Sequence, residues 1–362
     1  MIDFRLDEEQ TMLTEAVHRL AEQKIRKVFR DAEESRHMPA DVVQAGWEIG
    51  MLPTGLPEEY GGFGAYSAVT NTLAIEELAW GDLAAALHIL QPNTVAIPVM
   101  LSGTEEQKAQ YLPLFCRDEM PKVTAALTEP SFQFDPRELK TTAVLDGEAY
   151  TLNGVKMAVP IAPEAELFLI YANENGQTQA FLVAGGADGL AIGPAEKLMG
   201  LNAYPTYRLT LTDCRVPASK KLGGEAGIDF ELILNHSRVA LGAAAVGLAR
   251  AGYEYAKEYA KQRVQFGEPI AHKQSIAFML AEMAIDVDAA RLLVWEAAWL
   301  LDQKRPATRE VTTMKYHIDD LVVRVADQAL QTLGGYGYIR EYPVELWLRN
   351  ARGITHMDGW MM

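Results

Sequence analysis

RVALGAAAVGLARAGYEYAKEYAKQRVQFGEPI (residues 238–270) is the stretch on which the reading of the fold turns. It reads as a helix rich in alanine and tyrosine that ends in a basic and aromatic cap, Arg263 to Gly267. Its most apolar part, residues 239–252, is short and interrupted by Arg250, so by this reading it does not span a bilayer. The same helical spacing continues downstream. Ile276, Leu280, Met283, Val287, Ala290 and Val294 recur every three or four residues, as do Val311, Met314, Ile318, Leu321 and Val325. Pro306 separates these two runs. Long helices joined by short loops predict an antiparallel bundle over residues 223–362.

Upstream of the bundle the period changes. TTAVLDGEAYTLNG (141–154) holds two β-prone runs around Asp146-Gly147, a hairpin signal, and ELFLIYA (166–172) and QAFLVAGG (179–186) continue the strand pattern. A β domain is expected over residues 121–222. From residue 1 to 120 the spacing is helical again: Leu13, Val17, Leu20 and Ile25 form one stripe. Thr104 followed by Gln107 is a capping box, and PEEYGGFG (57–64) is a turn-rich loop. The expected fold is mostly α with a β domain: N-terminal helical domain, middle β domain, C-terminal helical bundle.

Composition narrows the function. A net charge of −16 argues against a broad electrostatic grip on nucleic acid or anionic membrane. Two cysteines, Cys116 and Cys214, make neither a disulfide framework nor a cysteine-rich zinc site, and a reducing compartment fits them best. The opening MIDFRLDEEQ has no basic region followed by an apolar run, so a cytoplasmic location is expected.

Local motifs alone name no reaction. TLGGYGYIREYP (332–343) follows a helix rather than a strand, which removes the dinucleotide-fingerprint reading. It is either a glycine helix cap or a loop whose bare backbone admits a ligand. Arg263 and Phe266 could hold a phosphate and pack on a flat ring, or simply cap a helix. Thr128 and Glu129 in LTEPSFQFDP (127–136) read locally as a turn with a capping acid. His236, His317 and His356 lack metal-site spacing, and Asp319-Asp320 reads as the solvated face of a helix.

Taken together and in order, PEEYGGFG, ALTEP, YTLNGVKM, TDCRVP, the stretch at 238–270, QTLGGYGYIREYPVE and LRNARGIT resemble the acyl-CoA dehydrogenase family over nearly the whole chain. The resemblance implies a C-terminal four-helix bundle, FAD, and oxidation of the α,β bond of an acyl-CoA thioester. A carboxylate would take the α proton while the β carbon gives hydride to the flavin. It further implies a dimer or tetramer with each FAD lying across a subunit boundary, and an electron-transfer flavoprotein as redox partner. Arg263, Phe266, Gln331, Gly334, Gly335 and Gly337 fall on the motif positions that reach a neighbour's cofactor. Leu127 and Thr128 fall on positions that meet the chain's own.

The middle domain departs from the family pattern. Ser131, Gln133 and Phe134 replace two glycines and a pyrophosphate-binding serine; Ala158 and Pro160 replace an aromatic and a hydroxyl residue beside the flavin. Asn202 stands where Arg or Lys is common, and Tyr204 where Ser is common. Two readings follow. In one, this bundle completes the FAD site of a sister subunit in a heteromer. In the other, the chain is a self-sufficient dehydrogenase. Non-redox acyl-CoA binding, or lyase or isomerase work, is a third class. For the base, Met357-Asp358-Gly359-Trp360 align with the family's Tyr-Glu-Gly-Thr, while the alternative base position falls at Ser237. Asp358 is therefore the expected catalytic carboxylate, with Trp360 crowding the flavin side.

Overall fold

The computed structural model describes residues 5–358. Helices come first: α1 Glu8–Leu20, α2 Arg26–Ser35, α3 Ala40–Trp47, α4 Met51–Thr54, α5 Ala68–Gly81, α6 Leu83–Leu90, α7 Asn93–Ser102 and α8 Glu105–Tyr111. The Leu13, Val17, Leu20, Ile25 stripe steps by five at its end, and the structure absorbs that step in a π-helical turn, Ala21–Ile25. Thr104 and Gln107 make both bonds of the capping box at α8.

The middle sheet holds β1 Val123–Ala126, β2 Thr142–Asp146, β3 Ala149–Pro160, β4 Leu167–Glu174, β5 Gln177–Ala184, β6 Leu190–Ala195 and β7 Thr206–Pro217. Its order is β1-β4-β2-β3-β7-β6, with β5 paired to β4. β2 and β3 form the hairpin turned by Gly147, whose φ of 61° suits glycine. β3 pairs with β7 and slips register between Lys156 and Val159, leaving Ala158 in the left-handed region at φ 55°.

α9 Phe230–Gln262 then opens the bundle, followed by the short hairpin β8 Val264–Gln265 and β9 Glu268–Pro269, α10 Gln274–Asp302, α11 Thr308–Leu333 and α12 Val344–Ile354. The alanine and glycine run of α9 lets other helices approach closely. A Cβ on Gly247 would stand 2.2 Å from the Glu76 carbonyl, so α5 packs on α9 only because that residue is glycine. The sequence reading found no stretch fit to span a bilayer, because it stopped at Arg250. By length and mean hydropathy α9 does pass that test, but 89% of its most apolar window is buried in the protein. The arginine explains both facts: Arg250 meets Glu76 at 2.8 Å and Glu77 at 2.6 Å on α5, as an interior ion cluster.

Candidate functional site

Two cavities collect the residues singled out from sequence. The larger, about 790 Å³, lies where the middle sheet meets α12 and the tail. Its walls include Thr128, Phe134, Ala158, Glu196, Leu201 and Asp358. That volume lies within the ~300–1,000 Å³ typical of small-molecule sites.

Asp358 is fixed by Arg238, from the third turn of α9. Nε and Nη2 of the guanidinium donate to Oδ1 and Oδ2, each at 3.0 Å. The two side chains are only 13% and 18% exposed, so this is a part-buried bidentate pair. The acid is no loose surface charge. Ser237 is fully buried beside Arg238. Nearby, burial raises the Asp319 carboxyl, with Lys315 opposing and the charge of Asp358 adding to the rise. Asp319 is thus half-buried and paired, not the solvated residue the sequence suggested; Asp320 is the exposed member of that pair. Trp360 lies outside the described residues.

The wall beneath the cavity is built on a buried ion pair. Lys156 Nζ donates to Glu129 Oε1 at 2.8 Å and to the Leu127 carbonyl at 3.1 Å. Burial lowers the Lys156 amine to about 8, with Glu129 opposing. Burial pushes Glu129 up, but Lys156 and the N–H groups of Lys140 and Thr141 outweigh it and hold the carboxyl below its ordinary value. Glu129 is therefore a structural anchor. Leu127 packs its side chain into the core behind the wall and does not line the cavity.

Does this wall suit a flavin? Thr128 contributes a buried hydroxyl with no partner among the described residues, facing a cavity that could supply one. Against this, the Ala158 N–H already donates to Glu196 Oε2 at 3.1 Å, and Thr206 donates to the same oxygen at 2.8 Å. Pro160 offers only its carbonyl, which accepts from Thr124 at 2.9 Å. Phe132 is fully exposed at the rim.

The second cavity, about 360 Å³, lies at the far end of the bundle. Arg263, Gln265, Gln331, Gly334 and Gly335 line it. Gly334 ends α11 as the cap the sequence allowed, and its φ of 59° favours glycine. It is also open to a ligand: a Cβ on Gly334 or Gly335 would meet nothing within 4 Å. Gly337 differs, because a Cβ there would strike the Leu330 carbonyl at 2.4 Å. Its role is packing. Arg263 rests over the Tyr336 ring at 5.1 Å and has no carboxylate partner among the described residues. Phe266 stands at the tip of the β8–β9 hairpin, 94% exposed and at φ 55°. A large aromatic held there in water is poorly placed unless something covers it. An arginine, a glutamine and bare backbone suit a diphosphate and a flat heterocycle, so these residues fit the nucleotide end of FAD.

Sequence reasoning missed Arg238 and Glu196. Arg238 meets Asp358 across 120 positions, a pairing with no local signal. Glu196 sits in a loop-like stretch whose contact with Ala158 depends on the β3 bulge.

Comparison with known proteins agrees with this geometry. Residues 7–119, 124–214 and 230–360 match the acyl-CoA dehydrogenase N-terminal, middle and C-terminal domains. The chain is 34% identical to acryloyl-CoA reductase (NADH) of Anaerotignum propionicum, over 99% of this chain and 93% of that protein. It is 33% identical to the caffeyl-CoA reductase–Etf complex subunit CarC of Acetobacterium woodii, over 97% and 95%. Among solved structures, butyryl-CoA dehydrogenase from Megasphaera elsdenii superposes with a TM-score of 0.89 at 31% identity, covering 98% of this chain and 95% of that one. The FAD complex of PigA gives 0.88 at 26% identity, covering 98% and 94%.

Proposed function

The chain belongs to the acyl-CoA dehydrogenase family, and from that premise we propose that it works on the α,β bond of an acyl thioester with Asp358 taking the α proton. The observation that carries this reading is the Asp358 carboxylate, fixed by Arg238 at the wall of the large cavity. An ionised carboxylate has about four lone-pair sites, of which the arginine uses two, so the acid keeps acceptor capacity for a substrate proton. FAD, when bound, supplies the acceptor for the hydride of the β carbon. Thr128 offers its unpartnered hydroxyl to a polar edge of that ring system. Aspartate is shorter than glutamate by one methylene, so the substrate must lie correspondingly close to the tail.

The bundle cavity serves a neighbouring subunit in this reading. Arg263, Gln331, Gly334 and Gly335 take the nucleotide end of an FAD whose ring lies in the other subunit, and Phe266 is covered there. Assembly is supported by a ridge on α10 where Phe278, Ile285, Leu292 and Trp299 stand exposed at intervals of seven residues. The reductase names among relatives put reduction of an enoyl thioester within the same reading. The electron partner then sets the direction, and an electron-transfer flavoprotein is the partner we propose.

A second reading is favoured by one contact, the Glu196 carboxylate on the Ala158 N–H. It consumes a donor on the flavin-facing wall and adds negative charge there. In that case the chain carries no flavin of its own and its bundle completes a sister subunit's site. Flavin content separates the two. About one FAD per chain in protein expressed alone supports the first reading. Flavin only on co-expression with a sister subunit, at about half the number of chains, supports the second.

A further inference from the structure

We propose that Arg352 and His356 make one wall of the large cavity a subsite for an oxyanion, a carboxylate or phosphate on a ligand with an apolar or flat body. The inference rests on the acyl-thioester reading above and adds a charged group to what the cavity holds.

Six residues that can carry charge line this cavity: Glu129, Glu196, Arg349, Arg352, His356 and Asp358. Four of them are already engaged within the protein. Asp358 is held by Arg238, and Glu129 by Lys156. Glu196 is bound to the sheet, where one of its oxygens accepts from the Ala158 N–H and the Thr206 hydroxyl. Arg349 is the most constrained of the cations. It donates to Glu33 Oε1 at 2.6 Å, to Glu345 Oε2 at 2.9 Å and to the Met199 carbonyl at 3.0 Å. Arg30 donates to the same Glu345. Arg30, Glu345, Arg349 and Glu33 therefore alternate in sign and balance one another, so Arg349 has little pull left for a ligand.

Arg352 and His356 differ from these four. Arg352 stands in the last turn of α12, and His356 follows just past the end of that helix. Both are exposed, and neither has a carboxylate at ion-pair distance among the described residues. His356 feels the charge of Asp319 only through space. Arg349, Arg352 and His356 succeed one another at intervals of three and four residues, and all three line the cavity. Like charges at that spacing repel, and an anion among them removes the repulsion. A guanidinium offers two parallel N–H groups that match a carboxylate or phosphate, and an imidazole adds one more donor. The same cavity presents Phe132, Leu198 and Met199, all exposed, as apolar surface for the body that carries the anion. Three sources of such an oxyanion fit the reading above: a flavin phosphate, the terminal carboxylate of an acidic acyl group, or a phosphate of the thioester's carrier arm.

The test compares the native chain with Arg352→Gln, Arg352→Lys and His356→Gln. Fluorescence titration of the flavin-free chain uses FAD, FMN and riboflavin, and calorimetry of the chain as purified uses butyryl-CoA and glutaryl-CoA. A flavin phosphate in the subsite predicts that Arg352→Gln weakens FAD and FMN about 10- to 100-fold and leaves riboflavin unchanged. An acyl carboxylate there predicts the same loss for glutaryl-CoA alone. Equal loss for both thioesters, with the flavins unchanged, assigns the subsite to the carrier's phosphates. In each case Arg352→Lys, which keeps the charge without the paired N–H groups, falls in between, and His356→Gln shows a smaller loss of about 2- to 10-fold. Unchanged affinity for every ligand overturns the subsite, and a lowered Tm alongside it would show that Arg352 serves only the helix end. Loss of riboflavin to the same extent as FAD overturns it too, as does a native chain that binds no FAD, FMN or thioester. Native binding of butyryl-CoA keeps the thioester reading standing when the subsite falls; no heat with either thioester removes that reading as well.

Discussion

Arg238→Met should expose how much the tail depends on its single arginine. The pair makes two charge-assisted bonds of 3.0 Å and is largely shielded from water. Coulomb attraction at about 4 Å with an effective dielectric near 20 gives roughly 4 kcal/mol as a ceiling. Desolvation of both ions offsets part of it, so a net loss of about 2 kcal/mol is expected for Arg238→Met, with Asp358 left unpaired. Asp358→Asn should cost about as much, because it strands the guanidinium. The double variant has no buried unpaired charge and should cost about 2 kcal/mol rather than about 4, a coupling near 2 kcal/mol. The assay is urea and thermal unfolding of the four proteins at one pH and salt, followed by tryptophan fluorescence. Single variants should lose about 2–3 °C in Tm. Additivity within about 0.5 kcal/mol would refute the reasoning, since it would mean that the two side chains do not interact in solution.

Three further outcomes are expected. Thr128→Val removes an unpartnered buried hydroxyl, so it should leave the flavin-free fold as stable or about 1 kcal/mol more stable while weakening flavin retention; equal losses in both would show that the hydroxyl is bonded in the free protein. Arg263→Ala should lower FAD affinity about 10- to 100-fold without changing Tm of the flavin-free protein, measured by equilibrium dialysis. Asp82, the N-cap of α6, has its carboxyl raised by burial to about 6. A raised native value means that the folded state holds the proton longer, so stability falls as pH rises from about 4 through 6, by at most about 3 kcal/mol. Asp82→Asn keeps the bond to the Ala85 N–H and should flatten that fall, as read from urea midpoints across this range.

The fold was legible because its signals are local and repeated. The three-to-four spacing of Ile276 to Val294 and Val311 to Val325, the Asp146-Gly147 turn and the Thr104 capping box each depend on near neighbours. The candidate site was legible only in its separate parts. Arg263, Gln331 and the glycine loop stand close together in space and were found together, though Gly337 proved a packing glycine and Leu127 a core residue. The Arg238–Asp358 pair, Glu196 on the Ala158 N–H and Tyr204 on Gln91 join distant segments. Each depends on how segments far apart in the chain come to lie side by side, for which no sequence period exists. Tyr204 was visible as an odd residue in its loop, but its hydrogen-bond partner was not.

Exchange of the α protons of butyryl-CoA with deuterated water, followed by proton NMR on flavin-loaded protein, tests the role of Asp358 most directly. The native chain should wash deuterium into the α position, and Asp358→Asn should slow that exchange by about 10²- to 10⁴-fold while still binding the thioester. Exchange at the native rate in the asparagine variant would contradict the assignment, and the base would have to be sought elsewhere on the cavity wall.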